Sequence, residues 1–192
     1  MEAERLIAAG RHALAESRVA LDIVAEAWQA QALAQAVGTQ LALCGPQELR
    51  GEARGLSEAG GRGGGFADPP LLGVGSLRAA QLSEVTDPRR ALTLLSALLG
   101  EIGIALVGVA CATDEEGLYW QCIEAIDATD ESNDRVRAML RRLSLRDRDR
   151  DRVCDRDPDR DRDGGRAGGG DREGRGDREG RRVDPDSATS SP

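Results

Sequence analysis

Apolar residues recur at intervals of three and four along most of the first 145 residues, which is the spacing of amphipathic helices. The pattern predicts a first helix from about Glu2 to Ser17. A second helix is predicted from Asp22 to Cys44, with Asp22 as its N-cap and Gly45-Pro46 as its stop. A weaker third helix is expected after Pro46, ending at about Ala59.

A glycine- and proline-rich stretch at about 60–75 breaks this pattern. It combines a run of glycines at 60–65 with Asp68-Pro69-Pro70, and such helix-breaking residues predict a flexible loop inside the domain. A short helix is expected after it, from Ser76 to about Val85.

The clearest helical signal begins at Asp87-Pro88, a capping aspartate followed by proline at the first helical position. A heptad seam of apolar residues follows, which is typical of a buried helical stripe. Its members are Leu92, Leu95, Leu99, Ile102, Leu106 and Val109. A second stripe on the same helix is small and uncharged, and it consists of Ser96, Gly100, Gly103 and Val107.

The string Thr113-Asp-Glu-Glu116 fits a capping box, so a new helix is predicted near Thr113. The polar segment Thr129–Asp134 predicts a kink or a break in that helix, after which an apolar stripe resumes. No alternating run bounded by hairpin turns predicts a strand. The sequence therefore predicts an all-α, soluble helical bundle of about five or six helices over residues 1–145.

The composition changes at Arg146. Residues 146–192 contain 13 Arg against 14 Asp or Glu and very few apolar side chains, so burial cannot offset the entropy of ordering them. We predict a disordered mixed-charge tail. Asp159, Asp161 and Asp163 match the opening of an EF-hand loop, but position 12 of that loop is Gly170, so no metal site is predicted.

The residue types narrow the possible chemistry further. The chain has no Lys, which excludes Schiff-base lysines and the lysines of P-loop proteins and kinases. Its single histidine, His12, lies in the first helix and is interpreted as a surface or core filler. The four cysteines lack CxxC spacing, and Cys111 and Cys122 lie among apolar residues, so free buried thiols in a reducing cytoplasm are predicted. No catalytic residue and no cofactor are predicted.

Charge and the N-terminal sequence bear on partners and location. Acidic residues match or outnumber Arg in both parts of the chain, which disfavours nucleic-acid binding. The start, MEAERLIAAG, lacks the features of a secretory signal, and this predicts a cytoplasmic protein. Residues 91–113 are long enough for a single membrane span, which is an alternative to a soluble helix. Glu101 and seven small residues in this segment make its insertion into a membrane less favourable.

Five residues are candidates for binding: Trp28, Glu101, Tyr119, Trp120 and Glu124. Glu101 is predicted as a buried partner of a hydroxyl or an arginine rather than as a catalytic acid. The aromatic residues either pack in the core or form a partner surface. The favoured function is a non-enzymatic interaction or oligomerisation module, as a homodimer or with another protein. The alternative is a small ligand-binding protein or enzyme using buried carboxylates such as Glu101 and Glu124.

Five strings carry a family resemblance: AEAWQAQALAQAVG (25–38), PQELRGEARGL (46–56), AAQLSEVTDPRRAL (79–92), GEIGIALVGVA (100–110) and EEGLYWQCIEAIDA (115–128). They resemble a family of short, uncharacterised helical proteins from high-GC actinobacteria such as Streptomyces. The resemblance covers most of residues 1–145 and not the tail. It implies a cytoplasmic bacterial protein with a helical domain, and it brings no activity, cofactor or catalytic residue.

Overall fold

The computed structural model describes the backbone of residues 1–62 and 78–154, and the side chains of residues 1–59 and 78–150. Within these ranges the predicted all-α fold is confirmed, with no strand and a single bridge between Glu2 and Glu84. Two short 3-10 helices, Gln47–Leu49 and Arg78–Gln81, connect the longer elements. The α-helices of the described residues are α1 (Ala3–Glu16), α2 (Ala20–Cys44), α3 (Arg50–Arg62), α4 (Pro88–Ala112) and α5 (Glu116–Cys154).

The chain divides into two units, Met1–Asp155 and Arg156–Pro192. The second unit holds most of the predicted tail and lies outside the described residues. Most of the loop predicted at 60–75 also lies outside them, although residues 60–62 still belong to α3. Of the short helix predicted from Ser76 to Val85, the described part contains the 3-10 helix Arg78–Gln81.

The helix α2 lies at the centre of the bundle, because it contacts each of the other four α-helices. Its approach to α3 is closest at Gly38. A Cβ atom at this position would lie 2.7 Å from the backbone nitrogen of Ser57 and 2.8 Å from the carbonyl oxygen of Ala53. The hydroxyls of Thr39 and Ser57 share a hydrogen bond of 2.8 Å beside this contact. Glycine at 38 therefore lets the two backbones meet.

We expect Gly38→Ala to lower the free energy of unfolding by about 1–3 kcal/mol, because the added methyl group meets backbone atoms that cannot rotate away. Urea unfolding followed by circular dichroism measures this loss. Gly51→Ala on α3 is the matched control, since a Cβ there meets nothing within 4 Å. The control should be neutral or slightly stabilising. Equal stability of the two variants would contradict the close contact.

The helix α4 has the predicted limits and the predicted buried side. The Asp87 carboxylate accepts a hydrogen bond from the backbone N–H of Arg90 at 3.0 Å, which confirms the N-cap. All six members of the heptad seam are buried. They face α1, α2 and α5, the helices that α4 contacts. The seam therefore forms a large share of the bundle core.

Two predicted helix starts differ from the structure. The helix α2 begins at Ala20 rather than Asp22, and its N-cap, Val19, makes no side-chain capping bond. Thr113 caps the end of α4 instead of starting α5, because its backbone N–H still donates to the carbonyl of Val109. Its hydroxyl accepts from the N–H of Glu115 at 3.1 Å. The predicted capping box is therefore wrong in detail, although a new helix does begin close by.

The helix α5 is longer and more continuous than the sequence pattern indicates. It passes through Thr129–Asp134 without a break, and it continues past Leu145, the predicted end of the helical domain, to Cys154. Ion pairs accompany this extension, since Arg146 binds Glu48 and Asp147 binds Arg89. A charged segment can thus remain helical where neighbouring helices offer opposite charges.

Further ion pairs join α5 to the α3 region. The Glu52 carboxylate accepts from Arg142 at 2.9 Å and lies 3.5 Å from the Arg135 guanidinium. The pKa of the Glu48 carboxyl lies below its ordinary value, first because of a backbone hydrogen bond at Glu48 and then because of the charge of Arg146. The arginines of these pairs lie at the surface, where an ion pair adds little stability on its own, whereas the Glu52 carboxylate is 19% exposed.

Candidate functional site

Glu101 was predicted to be buried, and the structure places it at the surface. Its side chain is 40% exposed and pairs with Arg11 of α1, whose Nε lies 2.9 Å from Oε2. The arginine partner is therefore as predicted, and the burial is wrong. The hydrogen bond to Glu101 and its negative charge raise the pKa of Arg11. A carboxylate that is open to water and paired with an arginine lacks the buried surroundings typical of a catalytic acid.

The other predicted binding residues lie on two different helices. Trp28 of α2 is half-buried and packs against the core, while Glu124 of α5 is exposed. Tyr119 and Trp120, near the start of α5, are 40% and 55% exposed. Their rings meet edge to face, with centroids 5.4 Å apart. Among the five candidates, Tyr119 and Trp120 are the pair whose side chains the structure shows in direct contact.

Groups suited to nucleophilic or metal chemistry are scattered in the part of the chain with described side chains. His12 is exposed and pairs with Glu16, one helical turn away. Cys122 is buried as predicted, whereas Cys44 and Cys111 are exposed, so the predicted burial of Cys111 is wrong. Burial raises the pKa of the Cys122 thiol, which disfavours the reactive thiolate. No group of three or more His, Cys, Asp or Glu residues able to hold a metal ion occurs among these residues.

A buried polar network, which the sequence analysis missed, links α2 to α5. The Gln31 amide donates to the Thr129 hydroxyl at 3.1 Å and accepts from the Ser132 hydroxyl at 2.9 Å. Nearby, the Ser96 hydroxyl of α4 donates to the Asn133 side-chain oxygen at 2.7 Å. Such neutral, fully paired groups fix the register of helices rather than perform chemistry. The inward-facing polar side chains also explain why α5 has no break here.

The helix α4 carries an exposed apolar surface, which we call the outer face of α4. It runs for about four turns between the sides that contact α1 and α5. Ile104 is 77% exposed and Val107 is 48% exposed. Atoms added as Cβ at Gly100 or Gly103 would meet nothing within 4 Å. The outer face consists of Ala97, Gly100, Gly103, Ile104, Val107 and Cys111, none of which is charged.

A second feature, which we call the end groove, lies where the α1–α2 connection meets the end of α4 and the start of α5. It has a volume of about 470 Å³ and mostly apolar walls. Its lining residues are Arg18, Ala20, Ile23, Ala105, Gly108, Val109, Ala112, Thr113 and Leu118. The exposed residues Val19 and Leu21 adjoin Ala20 along the chain, and Tyr119 follows Leu118.

The family described as "Family of unknown function (DUF6099)" matches residues 1–142. The chain belongs to this family. No curated protein and no solved structure matches the chain. The DUF6099 match supports one part of the sequence resemblance, namely that the chain belongs to a family without an assigned activity. A source in high-GC actinobacteria stays a prediction.

The DUF6099 match spans every element that forms the features above. It includes α1 to α4 complete, the first part of α5, the polar network, the outer face of α4 and the end groove. These features therefore belong to the DUF6099 domain rather than to the charged C-terminal segment.

One described helix, Pro88–Ala112, is long and apolar enough to cross a membrane, with a mean hydropathy of 2.2 in its most apolar window. In that window 39% of the residues are buried within the bundle. Core helices of soluble proteins have the same properties, and the arrangement is compatible with a soluble protein.

Proposed function

We propose that this DUF6099 domain is a non-enzymatic interaction module that self-associates through the outer face of α4. The observation that carries the proposal is the exposure of Ile104 and Val107 on a helix face of about four turns that contains no charged residue. Exposed apolar surfaces of this kind mark contact sites between proteins. The proposal extends to a cytoplasmic location, which the free thiols of Cys44, Cys111 and Cys122 favour.

The glycines of the outer face support a second copy as the partner. Glycine in a helix interior costs about 0.5–1 kcal/mol relative to alanine, and packing inside the monomer does not require it at Gly100 or Gly103. A helix that crosses α4 here can approach its backbone closely. The chain has a net charge of −8, so two copies repel each other unless they meet through uncharged surfaces. The outer face satisfies that condition.

The alternatives have less support. An enzyme or carrier built on buried carboxylates would need Glu101 inside the bundle, whereas it is half exposed and paired with Arg11. A single membrane span through 91–113 would have to remove the buried seam of α4 from α1, α2 and α5.

Light scattering at about 50 μM protein should give the mass of a dimer, since this concentration exceeds typical dissociation constants of dimers. Ile104→Glu should reduce the mass to that of the monomer, because a symmetric contact would bring two buried charges together. Gly103→Leu should weaken association with little effect on helical circular dichroism.

The matched control is Leu43→Glu, which adds the same charge at a leucine of α2 that is already 70% exposed. This variant should remain dimeric. A monomer mass for the unmodified protein at the same concentration would exclude self-association. Dimers that survive Ile104→Glu and Gly103→Leu would exclude the outer face of α4 as the contact.

A further inference from the structure

The end groove has apolar walls, and charged residues lie near them along the chain. A binding role for the groove would be additional to the self-association proposed above. Its walls come from three separate parts of the chain, and eight of its nine lining residues are uncharged. The groove borders the outer face of α4, because its lining residue Gly108 lies one helical turn from Ile104, whereas Ala105, Val109 and Ala112 lie further round the helix.

Acidic residues adjoin the lining of the groove along the chain at two places. Asp22 is next to the lining residue Ile23, and Asp114, Glu115 and Glu116 follow the lining residue Thr113. All four are exposed, and none has an ion-pair partner among the described side chains. Elsewhere in the described chain, Glu26, Glu52 and Glu101 all have arginine partners. The carboxylates around the groove thus remain available to an incoming positive charge.

A further depression on the α1–α2 side is lined partly by acids, of which Glu26 is paired with Arg78 and Asp22 has no described ion-pair partner. It has a volume of about 300 Å³ and is lined by Ala13, Glu16, Ser17, Asp22, Ala25 and Glu26. Arg18 is the single cation in the lining of the end groove. The acidic residues outnumber it, so the surroundings of the groove attract positive charge overall.

We propose that the end groove binds a basic amphipathic helix of a partner protein. The apolar side chains of that helix enter the groove, and its Lys or Arg residues meet Asp22 and the acids at 114–116. A helix with one apolar side fits a hydrophobic groove through residues spaced by three and four. Charge complementarity at the rim accelerates association and selects the partner.

Other occupants fit the charges less well. An apolar anion would be attracted by Arg18, but the four acids near the groove would repel it. An anionic membrane would be repelled in the same way. A second copy of this acidic chain would bring like charges together at the rim.

The test uses the full chain and a fluorescent helical peptide of about five turns, with Leu at positions spaced by three and four and Lys elsewhere. Fluorescence anisotropy at low salt should show saturable binding that weakens as salt is added. Replacing the acids by Asp114→Asn, Glu115→Gln and Glu116→Gln should weaken binding about tenfold. Gly108→Leu should have a similar effect by filling the groove, since a Cβ there meets nothing within 4 Å.

Two matched controls separate the groove from general attraction between opposite charges. Asp127→Asn, Asp130→Asn and Asp134→Asn remove the same charge from exposed positions further along α5 and should change binding less than about twofold. Gly51→Leu places leucine at another open helical glycine and should leave binding unchanged. Circular dichroism confirms that each variant is folded.

Several outcomes would overturn the proposal. These are the absence of saturable binding, equal weakening by the two sets of acid replacements, or preference for a matched peptide with Glu in place of Lys. Binding of dodecanoate that is lost in Arg18→Glu would assign the groove to an apolar anion instead. The acid replacements and Arg18→Glu leave the outer face of α4 unchanged, so these variants test the groove separately from self-association.

Discussion

Replacing Leu99 by alanine is expected to lower the free energy of unfolding by about 2–5 kcal/mol, and Leu106→Ala should have a similar effect. Both side chains are fully buried in the seam of α4, where α1, α2 and α5 surround them. Each substitution removes apolar contacts and leaves a cavity that rigid helices fill incompletely. Urea unfolding at fixed protein concentration measures the loss, because self-association would otherwise add a concentration term.

The matched control is Leu43→Ala, the same change at a leucine that is 70% exposed. It should alter the free energy of unfolding by less than about 0.5 kcal/mol. Losses below about 1 kcal/mol at both Leu99 and Leu106 would mean that the seam does not form a core, and the bundle described here would be wrong.

The second large effect is expected at the polar network. Gln31→Leu preserves the approximate volume but leaves the buried hydroxyls of Thr129 and Ser132 without their partner. The loss should be about 1–3 kcal/mol, reduced to the extent that each hydroxyl rotates to the carbonyl one turn earlier in α5.

Combining Gln31→Leu with Thr129→Val and Ser132→Ala tests the cause of that loss. With no hydroxyl left unpaired, the triple variant should recover most of the stability lost in Gln31→Leu. An additive further loss would show that the destabilisation comes from packing and not from unpaired polar groups. Urea unfolding of the three proteins supplies the comparison.

The sequence could predict α4 in detail because its signals are local and agree with each other. Asp87 and Pro88 specify the first turn, and the heptad spacing identifies the side that other helices cover. Local capping chemistry and periodicity do not depend on which helix lies opposite. The same independence explains why the all-α class was predictable from residues 1–145.

The features that depend on distant residues were not predictable in this way. Glu101 looked buried because its neighbours along the chain are apolar, but its surroundings are set by Arg11, far away in the sequence. Thr129–Asp134 looked like a break because its polar side chains had no visible partners. Gln31 supplies one of them from α2, and no pattern along a single helix reveals that pairing.

The candidate surfaces were predictable only in part. The small stripe on α4 shares Gly100, Gly103 and Val107 with the outer face, but Ser96, its remaining member, bonds to Asn133 inside the molecule. Ile104, the most exposed large residue of that helix, was not in the stripe. The end groove draws on three chain segments, and the acidic run at 114–116 indicated only a helix start.

The anchoring of α5 is unequal along its length, and this has a consequence for the domain at different ionic strengths. The middle of the helix is held by buried residues and the Gln31 network, whereas no described side chain beyond Leu143 is buried. That last stretch relies on exposed ion pairs such as Arg146 with Glu48, which dissolved salt screens. Opening therefore starts at the C-terminal end of α5 and stops at the core. The ionic strength of the surroundings thus sets how much of the C-terminal end of α5 stays attached to the neighbouring helices.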